Sequence, residues 1–198
     1  MIQFVFGYVE VQINDICTNV TSGGTPSSKN SLYYGGNIPW LRTQEVDFKE
    51  ISKTELYITE EGYNNSSAKW IPKNCVIVAM YGATVGKVGY NTIPLTTNQA
   101  CCNLEINGNF ANFKYVYYWL LNQYEYIKSL GQGSQTNINA QIVKELKIKL
   151  PLLAKQNEIV SKLDNLDRLC NDLNEGLPAE IAARKKQYEY YRDKLLKF

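Results

Sequence analysis

Two hydrophobic patterns divide this chain. Up to Pro151 the apolar residues come in short runs set between turn residues, whereas beyond Ala154 they recur at steps of three and four. Ile159, Leu163, Leu166, Cys170, Leu173 and Leu177 place an apolar seam along one side of a helix. After Pro178 the seam resumes through Ile181, Arg184, Tyr188, Tyr191, Leu195 and Phe198. The segment 154–198 would span roughly 65–70 Å as one helix. A one-sided rod of that length is stable only against a partner helix, so the pattern predicts a coiled coil. Pro178 lacks an N–H and crowds the preceding turn, which predicts a kink or a break there. Arg184 falls on the seam, which implies either an ion pair with a partner carboxylate or a shifted phase.

The earlier part of the chain reads differently. Phe4 to Cys17 predicts a strand and a short turn or helix, followed by a polar loop punctuated by Gly23-Gly24 and Gly35-Gly36. VIVAMY (76–81) and CCNLEI (101–106) are turn-flanked runs that favour strands. Asn112 is positioned to cap a helix ending at Gly131, with Val116, Trp119, Leu120 and Ile127 turned inward. AQIVKELKIKLP predicts a helical turn and a strand stopped by Pro151. The expected fold is α+β: a globular domain over 1–150, then a long helical coiled-coil region over 151–198.

Composition removes several chemistries. The chain has no histidine and no CxxC, which argues against a zinc site and against the commonest general base. Cys17, Cys75, Cys101, Cys102 and Cys170 are odd in number and include an adjacent pair, as expected of reduced, buried thiols in a cytoplasmic protein. No apolar stretch is long enough for a membrane span, and the first residues carry no signal-peptide pattern. The net charge of +2 is spread evenly, with 12 basic and 11 acidic residues through Leu150 and 9 and 8 beyond. Any nucleic-acid contact must therefore be local. Lys144, Lys147 and Lys149, and the run Arg184-Lys185-Lys186, are local clusters that suit either a contact surface or a solvated edge.

YGATVGKVG departs from a phosphate-binding P-loop, since Val88 follows Lys87 and a strand rather than a helix comes next; its glycines suit turns. The amide-rich stretches GSQTNIN and TTNQA supply groups that bond adenine edges or phosphates, or that cap local turns. Candidate DNA contacts are thus Asn98, Gln99, Gln135, Asn137 and Asn139, together with Arg42 beside Trp40 and Lys87 for a phosphate. No catalytic nucleophile constellation is present, nor the Asn/Asp-Pro-Pro-Tyr/Phe stretch of adenine methyltransferases. A binding module fits this inventory better than an enzyme.

The combination SGGTPS (22–27), IPWLRT (38–43), GATVGKVG (82–89), TNQA (97–100), GSQTNI (133–138), IKLPLLAKQNEIVSKLD (148–164) and LPAEIAARKKQYEYYRDKLL (177–196) resembles the specificity subunit of type I restriction-modification systems. Order and spacing carry the resemblance over nearly the whole chain. The family usually has a second proline and an acidic residue where this chain has Leu152 and Lys155.

The resemblance implies a non-catalytic, DNA-binding subunit with a target recognition domain over 1–150 and a conserved helical region over 151–198. A full-length member has two of each, reads a bipartite target from the major groove, and spaces the half-sites with antiparallel helices. Methylation subunits then use S-adenosylmethionine to modify adenine, and restriction subunits use ATP and Mg2+ to cut. No cofactor or metal is implied for this chain itself. As a half-length form it is expected to pair with a second copy through its helices and to read an inverted repeat across a fixed gap. Two alternatives stand beside this reading: a coiled-coil adaptor whose globular domain binds protein, and an independent methyltransferase or nuclease, which the missing catalytic residues disfavour.

Overall fold

The computed structural model describes residues 7–131, 137–167, 181, 184–187 and 190. The chain divides into two units, Met1–Asn157 and Glu158–Phe198. The first unit extends past Leu150 because the helical turn after Pro151 carries Gln156, fully buried, into it.

The first unit holds eleven strands among its described residues: β1 Tyr8–Gln12, β2 Cys17–Ser22, β3 Tyr34–Leu41, β4 Glu50–Ile51, β5 Leu56–Ile58, β6 Trp70–Ile71, β7 Val76–Ala79, β8 Val88–Asn91, β9 Leu95–Thr97, β10 Cys101–Ile106 and β11 Lys147–Pro151. Four helices join them: α1 Glu60–Asn64, α2 Phe113–Asn122, α3 Tyr124–Ser129 and α4 Ala140–Glu145. A five-stranded sheet has the order β2-β10-β7-β8-β4, a four-stranded sheet the order β5-β3-β9-β6, and β1 pairs with β11. Most neighbours run antiparallel; β3 with β9 and β4 with β8 are parallel.

The alternation of side chains along β7 and β10 explains the layering. Val76, Val78, Cys102 and Leu104 face one core, shared with Val116, Leu120 and Ile127 from α2 and α3, Val143 from α4 and Ile148 from β11. Ile77, Ala79 and Cys101 face a second core, shared with Leu41, Ile71 and Leu95. Buried on both sides, β7 and β10 read as near-continuous apolar runs, which is why they are prominent in the sequence. A smaller cluster of Ile38, Trp40, Ile58 and Ala68 builds on β3 and β5.

The strand CCNLEI occupies its expected positions, and VIVAMY ends at Ala79. The helix expected from Asn112 to Gly131 is two helices, interrupted at Gln123, whose φ of −93° and ψ of 7° lie outside helical values. Asn112 does cap α2, accepting from the Lys114 N–H at 2.8 Å. Tyr117 is buried there, while Trp119 is only half-buried. In the second unit residues 158–167, 184–187, 181 and 190 are helical. The seam residues Ile159 and Leu163 are half-buried, whereas Leu166 and Ile181 are 57% and 61% exposed. Arg184 is exposed, with Nη1 3.5 Å from Gln187 Oε1. Cys170, Leu173, Leu177, Tyr188, Tyr191 and Leu195, and the break expected at Pro178, lie outside the described residues. Among the described residues no helix is long and apolar enough to cross a membrane.

Candidate nucleic-acid interface

Five segments far apart in sequence meet where β3, β7 and β9 end. The Gly24 N–H donates to Thr97 O at 2.9 Å, and the Trp40 indole N–H donates to Gly24 O at 2.9 Å. The Thr25 hydroxyl donates to Gln99 Oε1. The Asn98 N–H donates to Leu41 O at 2.9 Å, the Met80 N–H to Ala100 O at 2.8 Å, and the Ile138 N–H to Met80 O at 3.0 Å. The Gly82 N–H reaches Asn137 Oδ1 at 3.3 Å. Thus SGGTP, PWLRT, the turn at Gly82, TNQA and Asn137-Ile138 form one hydrogen-bonded knot.

Glycine is required at its centre by close approach: a Cβ on Gly23 would lie 1.9 Å from Thr97 O, and one on Gly24 would lie 2.3 Å from the Ser67 carbonyl carbon. At Gly82 the reason is different, a φ of +76° with open space around the missing Cβ. The Tyr34 ring packs edge-on to Trp40 at 5.8 Å, and its hydroxyl donates to Pro26 O at 2.7 Å, tying the loop after β2 to β3.

Most candidate amides are engaged within this framework. Asn98 Oδ1 accepts from the Ala100 N–H at 3.2 Å and from the Cys101 thiol at 3.3 Å, which holds the turn between β9 and β10. Gln99 is exposed and bonded to Thr25. Asn137 anchors the Gly82 turn, and Asn139, also exposed, caps α4 by accepting from the Ile142 N–H at 2.9 Å. Gln135 lies outside the described residues.

The two candidate cations are each held by carboxylates. Arg42 donates from Nη2 to Glu55 Oε2 at 2.9 Å, while its buried Nε stands 4.0 Å from Glu45 Oε1, too far for a hydrogen bond. Glu45 in turn accepts the backbone N–H groups of Arg42 at 3.1 Å and Glu55 at 2.7 Å, fixing the loop that follows β3. Lys87 donates to Asp47 Oδ1 at 2.6 Å and lies over the Phe48 ring, 5.5 Å from its centroid. That hydrogen bond, joined by the charges of Lys87 and Lys49, holds the Asp47 carboxyl below its ordinary pKa. The short helical turn after Arg42, Thr43–Glu45, packs against Gly82–Thr84, so both cations border the same loop cluster. Lys147 and Lys149 share the exposed face of β11, where Lys147 lies 3.8 Å from Glu10 and Lys149 lies over the Tyr8 ring at 5.3 Å.

Four of the five thiols lie among the described residues. Burial pushes Cys17, Cys75 and Cys102 up to about 12, and it raises Cys101 as well. Cys17, Cys75, Cys101 and Cys102 are all free. Among the described residues no group of three or more Cys, Asp or Glu side chains is placed to hold a metal ion.

Two features of this unit are not visible in the sequence. Tyr81, 41% exposed at the edge of the knot, looked like the end of a strand. Gln156 lies between Lys155 and Asn157, both exposed, and its 0% exposure is a signal only the fold reveals.

The arrangement matches known proteins. Residues 7–183 match the family described as type I restriction modification DNA specificity domain. The chain is 36% identical over 184 residues to the type I restriction enzyme EcoR124I/EcoR124II specificity subunit of Escherichia coli, covering 89% of this chain and 45% of that protein. It is 31% identical over 163 residues to the MjaIX specificity subunit of Methanocaldococcus jannaschii, covering 80% of this chain and 37% of the relative. A chain from a solved structure of a type I R-M system superposes with a TM-score of 0.70 at 18% identity, over 95% of this chain and 45% of that one. The chain thus spans about half the length of the relatives it matches. With its fold and its order of motifs in agreement, this chain belongs to the type I restriction modification DNA specificity domain family.

Proposed function

We propose that this chain is a half-length, non-catalytic specificity subunit that binds duplex DNA and directs partner subunits to a bipartite target. The observation that carries the reading is the knot itself: family-like motifs converge on one end of two sheets and present loops held rigid by backbone hydrogen bonds. Rigid loops on a sheet scaffold suit base recognition, because a preordered surface loses little entropy on binding. Tyr81, Gln99 and the loop from Arg42 lie at this end and are the first places to test for DNA contact. Arg42 and Lys87 would meet a phosphate with their carboxylate partners Glu55 and Asp47 beside them, which weakens its attraction.

Methyl transfer from S-adenosylmethionine belongs to methylation subunits in this scheme, and cleavage driven by ATP with Mg2+ belongs to restriction subunits. The exposed Leu166 and Ile181 support pairing of the C-terminal helices between two copies, which would give an inverted-repeat target.

The test combines the chain with methylation subunits of the same system, and maps methylated adenines across a duplex library. Two short half-sites separated by a fixed gap are the expected result. Equal modification of all sequences would refute the reading, and methylation by the chain alone would make it an enzyme. Light scattering of the purified chain is expected to give about 45 kDa, twice the 22.6 kDa chain; a mass of one chain at every concentration removes the homodimer.

A further inference from the structure

The Gln156 amide is fully buried, and all its bonds go to main-chain groups. Its Oε1 accepts the Asn112 N–H at 2.9 Å, while Nε2 donates to Phe110 O at 3.1 Å and Pro151 O at 2.8 Å. Both amide protons are used, and the oxygen is engaged. Beside it the Asn112 side chain, already capping α2, donates to Asn157 Oδ1 at 2.9 Å. One side chain thus joins the end of β11, the loop that enters α2 and the first helical turn after Pro151. The clamp lies wholly inside the first unit, at its last residues.

The amide stabilises the turn by pairing three main-chain groups that a nonpolar side chain would leave without this partner. What the amide adds is direction, because three hydrogen bonds at fixed angles allow one orientation of the turn, whereas apolar contacts allow a range. The three Gln156 bonds reach main-chain atoms and so tolerate changed side chains at 110 and 112, whereas the bond to Asn157 requires Asn112 itself.

We infer that Gln156 is a positioning residue for target spacing: it fixes the exit of the helical region from the recognition domain and thereby the gap length the assembly accepts. The inference rests on the reading of the chain as a half-site reader. It assigns Gln156 no contact with DNA.

The experiment uses the chain assembled with methylation subunits and a set of duplexes whose half-sites are separated by gaps changed one base pair at a time. Wild type is expected to favour one gap. Gln156→Met, similar in length but without hydrogen bonds, is expected to lower the preference for the best gap over its neighbours by about tenfold, the equivalent of one to two lost hydrogen bonds. Half-site sequence preference stays unchanged. Asn157→Ala removes only the exposed bond from Asn112, leaves the core intact and is expected to broaden the gap preference in the same direction, by about twofold. Ile58→Ala, a core truncation in the separate cluster built on β3 and β5, is the control: it lowers the melting temperature and keeps the gap preference sharp. If both clamp variants keep a sharp preference, or lose activity equally at every gap, the inference is overturned while the half-site reading stands. A wild-type assembly indifferent to gap length overturns both.

Discussion

Gly24→Ala tests whether the knot is the framework of the loop cluster at the end of β3, β7 and β9. The new Cβ would fall 2.3 Å from the Ser67 carbonyl carbon and 2.4 Å from the Ala68 nitrogen, both main-chain atoms that cannot rotate away. An ordinary contact needs about 1 Å more, so either strand β3 with its Trp40 or the segment at Ala68 must move. That displacement stretches two bonds that now measure 2.9 Å, Gly24 N–H to Thr97 O and Trp40 Nε1–H to Gly24 O. Overpacking costs about 1–3 kcal/mol and each weakened hydrogen bond about 1 kcal/mol, giving about 3–5 kcal/mol in total. For a domain of this size the expected fall in melting temperature is about 6–20 °C. Urea unfolding followed by far-ultraviolet circular dichroism supplies the free energy, with Gly108→Ala as control, since a Cβ there meets nothing within 4 Å. The reasoning fails if Gly24→Ala costs less than about 1 kcal/mol, or if both variants cost the same.

Two further predictions concern ionisation. At about pH 8 Cys75 and Cys102 should alkylate about a thousandfold more slowly in the folded chain than in urea, because burial lifts them from 9.0 to about 12; comparable rates in the two states would contradict their burial. The same shift means that unfolded thiols ionise first, so stability should decline as pH rises from about 9 toward 12. For Asp47 the sign is opposite: its pKa lies below the ordinary 3.8, so its contribution is present above that value and is lost as pH falls through the lowered one. Lys87→Met should return the Asp47 carboxyl toward 3.8 in an NMR titration, and an unmoved pKa would show that the pair does not persist in solution. With Asp47 half-exposed, the change in overall stability should be within about 1 kcal/mol.

The strands β7 and β10 are legible because both faces of β7 and of most of β10 are buried, which favours a near-continuous apolar run whatever the partners are. The Asn112 cap and the end at Pro151 were equally legible, since a cap bonds its own helix and proline stops a strand by its own chemistry. The interruption at Gln123 was not, because no glycine or proline marks it. The candidate amides were recognised as polar groups able to bond either DNA or backbone, and the sequence left that choice open. In the fold Asn98 and Asn137 hold turns, Asn139 caps α4, and Gln99 meets Thr25 across 74 residues.

By itself, then, the sequence determined local conformation, the apolar faces and the family, because periodicity, capping and motif order are properties of neighbouring residues. Only the tertiary structure decided that Arg42 and Lys87 are paired with Glu55 and Asp47, that five motifs form one knot, and that Gln156 is buried. Those outcomes depend on which distant backbone and side-chain groups share a dry space, and hydrogen-bond satisfaction there is settled by geometry between strands far apart in the chain.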